Sequence, residues 1–248
     1  QVWQFTTTNF TPALIGFWPL DNFDGSTFTS DKSEGGNWGL FPENMAAVDG
    51  KAGKALSLDG VDEFMRVKNS EEFDFTGSFT VSLWLKNDSL AGPAYIISRG
   101  NFKDREVNLG FGIYINTDDQ VVFQTADGSK NTKVTAPVAE IKTGNWEKLT
   151  GIRDRTTGKL LLYRNSEKLG AAEDKTGDIG CIKDIYVGAQ AGNCCFYKGV
   201  VDNIRITNYP LDESKIGELQ TTGITQGDRP EKYRLTIRNY PNPFNPVT

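Results

Sequence analysis

Apolar and polar positions alternate along most of this chain. In Phe79-Thr-Val-Ser-Leu-Trp-Leu-Lys86, Phe79, Val81, Leu83 and Leu85 fall on one phase and Thr80, Ser82, Trp84 and Lys86 on the other, the period of a half-buried strand. Shorter runs of the same texture lie at residues 14–20, 55–58, 64–67, 95–98, 109–115, 121–124, 146–152, 159–163, 185–188 and 200–206. Turn formers separate them: Asp59-Gly60, Thr117-Asp118-Asp119, Ala126-Asp127-Gly128, Thr156-Thr157-Gly158 and Asn165-Ser166. Helical periodicity is confined to residues 212–220, whose acidic start suits an N-terminal turn. So many short strands with so little helix predict an all-β chain: two antiparallel sheets packed face to face.

The pattern also divides the chain. Residues 13–219 carry the sandwich, behind an N-terminal extension, 1–12, that holds a strand-like piece at 2–8. Residues 220–230 are polar and glycine-containing, as a linker is. Tyr233-Arg-Leu-Thr-Ile-Arg238 then alternates at strand period before the Pro/Asn-rich Asn239-Tyr-Pro-Asn-Pro-Phe-Asn-Pro246. There is no internal repeat.

Composition sharpens the picture chiefly through one zero: the 248 residues include no histidine. That removes the Ser-His-Asp and Cys-His nucleophile systems, His-bearing zinc sites and histidine general bases. The net charge of −5 is spread along the chain, so no basic face for nucleic acid is expected. No run approaches the about 18 apolar residues of a membrane helix. The start at Gln1 is what a trimmed, exported protein would present. The three cysteines, Cys181, Cys194 and Cys195, cluster in one region. They bracket the strand at 183–189, which predicts a disulfide from Cys181 to Cys194 or Cys195; a bond between the vicinal pair would strain an eight-membered ring, so one thiol is left free or pairs between chains.

Several segments, in order, resemble the laminin-G-like, concanavalin A-like jelly-roll family of secreted bacterial proteins. They are Ala13-Leu-Ile-Gly-Phe-Trp-Pro-Leu-Asp21, Asp31-Lys-Ser-Glu-Gly-Gly-Asn-Trp-Gly-Leu40, Gly53-Lys-Ala-Leu-Ser-Leu-Asp-Gly60, the Phe79 strand, Trp146-Glu-Lys-Leu149, Thr157-Gly-Lys-Leu-Leu-Leu-Tyr163 and Val201-Asp-Asn-Ile-Arg-Ile206. The resemblance implies a jelly-roll sandwich and a calcium ion shared by Asp21 and Asp202 with loop carbonyls at Gly36 and Asn37. The plainer alternative has Asp21 capping a turn and Asp202 pairing with Arg205 or Lys198. Asn239–Pro246 resembles the opening of the type IX secretion sorting domain, which implies export to the cell surface or medium.

Exposed aromatic rings can cover the apolar face of a sugar. Trp38, Tyr114, Phe196 and Tyr197 lie at or beside turns and are the ligand-binding candidates; Trp84, on the polar phase of its strand, is read as core. The Glu-x-Asp-x-x-Glu strand of laminarinase-like enzymes is absent, and the His and Tyr pair of alginate-lyase-like members cannot form. The expected function is therefore a non-catalytic, surface-exposed binding or adhesion module for glycans or a neighbouring surface protein. A structural subunit of a filament, assembled through the strand-like pieces at 2–8 and 233–238, is the second reading, and a carbohydrate-active enzyme the third.

Overall fold

A computed structural model describes residues 11–21, 23, 25–42, 45–89, 91–101, 109–141 and 143–218. The strand-like piece at 2–8, the linker and the sorting-type tail lie outside them, and with them the expected self-assembly. In chain order the strands are β1 (Leu14–Trp18), β2 (Phe28–Thr29), β3 (Gly39–Leu40), β4 (Ala47–Asp49), β5 (Lys54–Asp59), β6 (Met65–Val67), β7 (Phe79–Asn87), β8 (Ala94–Asn101), β9 (Leu109–Ile115), β10 (Gln120–Asp127), β11 (Asn131–Pro137), β12 (Trp146–Asp154), β13 (Lys159–Arg164), β14 (Glu167–Glu173), β15 (Ile185–Val187) and β16 (Lys198–Thr207). One short helix, α1 (Glu213–Glu218), follows; Ser214 N–H donates to Asp212 Oδ1 at its start. No helix among the described residues is long and apolar enough to cross a membrane.

The strands form two antiparallel sheets of eight. The first runs β14-β13-β12-β7-β16-β5-β4, with β1 also paired to β16; the second runs β11-β10-β9-β8-β15-β6-β3-β2. Neighbours distant in sequence, such as β7 beside β16, are what a jelly roll requires. Phe79, Val81, Leu83 and Leu85 of β7 face Phe111, Ile113, Val121 and Phe123 of the second sheet in a continuous core, as the alternation predicts. The other phase, Thr80, Ser82 and Trp84, is buried as well, so β7 is covered on both faces rather than half-buried.

Gly151 of β12 lies directly against the Phe123 ring of the second sheet. A Cβ there would stand 2.6–2.8 Å from atoms of the Phe123 ring. Gly151→Ala should therefore cost about 1–3 kcal/mol by overpacking, seen as a fall in melting temperature of about 2–4 °C per kcal/mol. An unchanged melting temperature would mean that the sheets can separate locally without cost.

Two buried arginines hold the long crossing from β14 to β15. Arg153, on the inward phase of β12, pairs with Asp174 at 2.7 Å and donates to the carbonyls of Thr176 (2.9 Å) and Gly177. Arg99 of β8 pairs with Asp74 at 2.7 Å and donates to the carbonyls of Phe73 and Cys181. Each guanidinium satisfies backbone carbonyls that the irregular segment would otherwise leave unpaired in the interior.

Candidate functional site

Asp21 and Asp202, far apart in sequence, stand at the same loop. Leu20 is buried in the core but has a left-handed backbone, φ +62°. That conformation is costly for a bulky residue, and it delivers the next residue, Asp21, to the surface. Asp202 lies opposite Trp84 in β16, where the pairing with β7 slips between Asp202 and Arg205 and Asn203 is left-handed at φ +50°. Such a bulge re-aims the side chain beside it.

The β4–β5 turn, residues 50–53, is held by Asp202 and lies against Asp21. Lys51 and Ala52 N–H donate to Asp202 Oδ2 at 2.8 and 3.2 Å, and Asn203 Nδ2 donates to Oδ1 at 3.1 Å. A Cβ on Gly53 would stand 2.6 Å from Asp21 Oδ1. One on Gly50 would stand 2.7 Å from Asp202 Oδ2, 2.8 Å from the Lys54 carbonyl oxygen and 2.9 Å from that of Ala52. Neither glycine can be larger without moving an acid or a carbonyl. Burial pushes the Asp202 carboxyl up to about 6, against backbone hydrogen bonds that lower it, and the charge of Asp21 adds to the rise.

This donor set fits a hard cation. Two carboxylates and the carbonyls of Ala52 and Lys54 are the oxygen types calcium takes, and a cation would offset both the desolvation of Asp202 and its repulsion by Asp21. Among the described residues no three or more acidic, cysteine or histidine side chains group together, so water would have to complete the shell. Gly36 and Asn37 belong to a turn of their own: Asp31 accepts from Phe17, Ser33 and Asn37 N–H, and the Asn37 carbonyl accepts from Trp18 Nε1 at 2.7 Å. The carbonyls bordering Asp202 come instead from the β4–β5 turn. Arg205, the alternative partner of Asp202, lies with its guanidinium over the Phe17 ring at 4.2 Å.

Asp21 also lines a cleft of about 270 Å³ with Phe23, Phe28 and Lys32. Phe28 and Leu40 are cross-strand partners on the outermost hairpin of the second sheet. Phe28 and Trp38 pack with ring centroids 5.1 Å apart while remaining 45% and 52% exposed. With Leu40 they form an apolar rim beside the cleft, the kind of exposed patch that marks contact with another molecule.

Trp38 is thus exposed as expected, but the other aromatic candidates need correction. Tyr114 is buried, stacked on Tyr95 at 4.6 Å, with its hydroxyl donating to Gln124 Oε1 at 2.6 Å. Tyr197 is wholly buried and donates to Asn87 Oδ1 at 2.6 Å. Both hydroxyls are satisfied inside, so neither ring is offered to a ligand. Phe196 is half-buried and bridges to Tyr95. Trp84 is buried, yet on the outward face, beneath Lys51 Nζ at 4.7 Å.

The expected disulfide is also corrected: all three cysteines are free. Cys181 lies beside Arg99, whereas the Cys195 carbonyl accepts from Tyr95 N–H, four residues away along β8. Strand rise puts Tyr95 and Arg99 roughly 13 Å apart, so the two cysteine segments are held at opposite ends of β8.

Residues 59–217 match the family model described as the concanavalin A-like lectin/glucanases superfamily, Laminin_G_3. No curated protein matches. Among solved structures, the binding domain of Paraclostridial Mosquitocidal Protein 1 is 17% identical with a TM-score of 0.67, over 84% of this chain and 52% of that one. Domain 4 of AbnA, a GH43 extracellular arabinanase from Geobacillus stearothermophilus in complex with arabinotriose, is 21% identical with a TM-score of 0.64, over 85% of this chain and all of that one. The botulinum neurotoxin serotype G binding domain is 13% identical with a TM-score of 0.66, over 84% and 50%. The chain spans about half the length of the toxin domains it matches. At such identities the likeness is one of fold.

Proposed function

The chain belongs to the concanavalin A-like lectin/glucanases superfamily, and from that premise we propose that it is a non-catalytic glycan-binding module assisted by calcium. The carrying observation is the juxtaposition of a solvated aromatic pair, Phe28 and Trp38, with a cleft that Asp21 lines. The rings offer a stacking surface for the apolar face of a sugar, and Asp21 and Lys32 offer polar partners for its hydroxyls. Calcium held between Asp21 and Asp202 would fix the Gly50–Gly53 turn and, through Asp21, one wall of the cleft. The arabinotriose in the AbnA domain supports an oligosaccharide as the ligand class for this fold. The non-catalytic part rests on the missing Glu-x-Asp-x-x-Glu strand and on the missing histidine of the His and Tyr pair, the two constellations that enzymes of this fold use. Export is part of the reading and rests on the resemblance of Asn239–Pro246 alone.

A glycan array followed by calorimetry on the best oligosaccharide tests it. Trp38→Ala should weaken binding by about 1–2 kcal/mol, roughly five- to thirtyfold, without moving the melting temperature. Chelation should weaken binding by a comparable factor. Binding untouched by Trp38→Ala would remove the cleft as the site.

A further inference from the structure

The strained turn that follows β15 carries a second piece of chemistry. Gln190 N–H donates to the Cys194 carbonyl at 3.0 Å, closing a loop in which Ala191 and Gly192 are left-handed at φ +52° and +69°. Cys195 is left-handed as well, at φ +58°, and its carbonyl accepts from Tyr95 N–H at 2.8 Å. This backbone brings the two sulfurs together: Cys194 Sγ and Cys195 Sγ are 2.9 Å apart. Gln190 Oε1 faces both, at 3.3 and 3.8 Å. Both side chains are half-buried, so a small reagent can reach them.

From this geometry we infer that Cys194 and Cys195 are a redox pair that closes to a vicinal disulfide. The ordinary objection is the strain of the eight-membered ring. Here the left-handed Cys195 backbone is set by the turn and by the hydrogen bond to Tyr95, so folding has already brought the sulfurs to 2.9 Å, and closure contracts them to about 2.05 Å. Cys181, beside Arg99, takes no part.

The oxidant is a small-molecule disulfide. The Cys194 thiolate attacks one of its sulfurs and expels a thiol, leaving a mixed disulfide on Cys194. Cys195 then loses its proton and attacks Cys194 Sγ, expelling the second thiol. Two electrons and two protons pass from the cysteines to the reagent, and one disulfide is exchanged for another. Burial and the adjoining Cys194 push the Cys195 thiol up to about 12, which leaves the opening attack to Cys194. The closed ring locks the 190–195 turn against the Tyr95–Tyr114 stack, on which Cys195 packs.

Peptide mapping of the full chain reads this directly. Trypsin cuts after Lys175, Lys183 and Lys198, so Cys181 falls in peptide 176–183 and the vicinal pair in 184–198. After oxidised glutathione, unfolding and alkylation, peptide 184–198 should be two hydrogens lighter and unalkylated, while 176–183 carries one alkyl group. Prior reduction should return two alkyl groups to 184–198. In Cys195→Ser, Cys194 should stop at the glutathione adduct. Alkylation of both vicinal cysteines after oxidation, a 176–183 peptide joined to 184–198, or glutathione on both sulfurs would overturn the inference.

Discussion

Asp174→Ala should be among the most destabilising single substitutions in the chain, at about 3–5 kcal/mol. Asp174 and Arg153 are both wholly buried and 2.7 Å apart. Removing the acid leaves a guanidinium inside the protein with carbonyl partners but without its ion-pair partner, Asp178 acting on it only through its charge. Arg153→Met together with Asp174→Ala should recover much of the loss, because no buried charge then remains; denaturant titration of the double-mutant cycle measures it. A single-variant cost below about 1 kcal/mol would mean that the crossing segment is not held here. The pair also sets an acid limit. Burial alone would raise the Asp174 carboxyl, but hydrogen bonds from Thr176 and Arg153 outweigh it and hold the group below its ordinary value. Its contribution is therefore complete above about pH 4 and is lost as pH falls through the depressed folded value.

What the sequence announces is what alternates. The strands with large apolar residues on one phase, β7, β9, β10, β12 and β13, are visible as runs. β14 reads Glu-Lys-Leu-Gly-Ala-Ala-Glu and β11 buries only Thr132, Val134 and Ala136, so neither has an apolar phase strong enough to stand out. Both lie at sheet ends, where one neighbour is enough. Arg153 was visible in principle, since it falls on the inward phase of Leu149 and Gly151. The site was half legible. Asp21 and Asp202 follow from the resemblance, but the turn they share does not, because the bulge at Asn203 and the left-handed Leu20 have no sequence signature. Phe28 carries no signal in the sequence, because its two-residue strand is too short to show a period, although its pairing with Leu40 puts it beside Trp38. Tyr114 and Tyr197 are buried although they lie near turns, because a place beside a turn does not decide where a ring points.

Asp202→Asn should make the metal-free protein more stable at neutral pH and remove its response to calcium. The folded carboxyl sits near 6, above the ordinary value of 3.8. Between those two pH values the folded state keeps a proton that the unfolded chain releases. This group therefore contributes its full stability below about pH 4 and loses it as pH rises to about 6, a swing on the order of 2–3 kcal/mol. Asparagine keeps an oxygen for Lys51 and Ala52 N–H and carries no charge, so the variant should gain on wild type progressively from pH 4 to 6 when chelator is present. With the proposed calcium site filled at 100 times Kd, binding to the native state should add about 2.7 kcal/mol to the wild type alone, enough to cancel the variant's lead. Denaturant midpoints of both proteins at pH 4.5 and 7, with EDTA and with calcium, give the four differences required. Equal stabilisation of both proteins by calcium would move the ion away from Asp202. A variant that loses stability in EDTA at pH 7 would mean that the backbone hydrogen bonds to the carboxylate outweigh its burial.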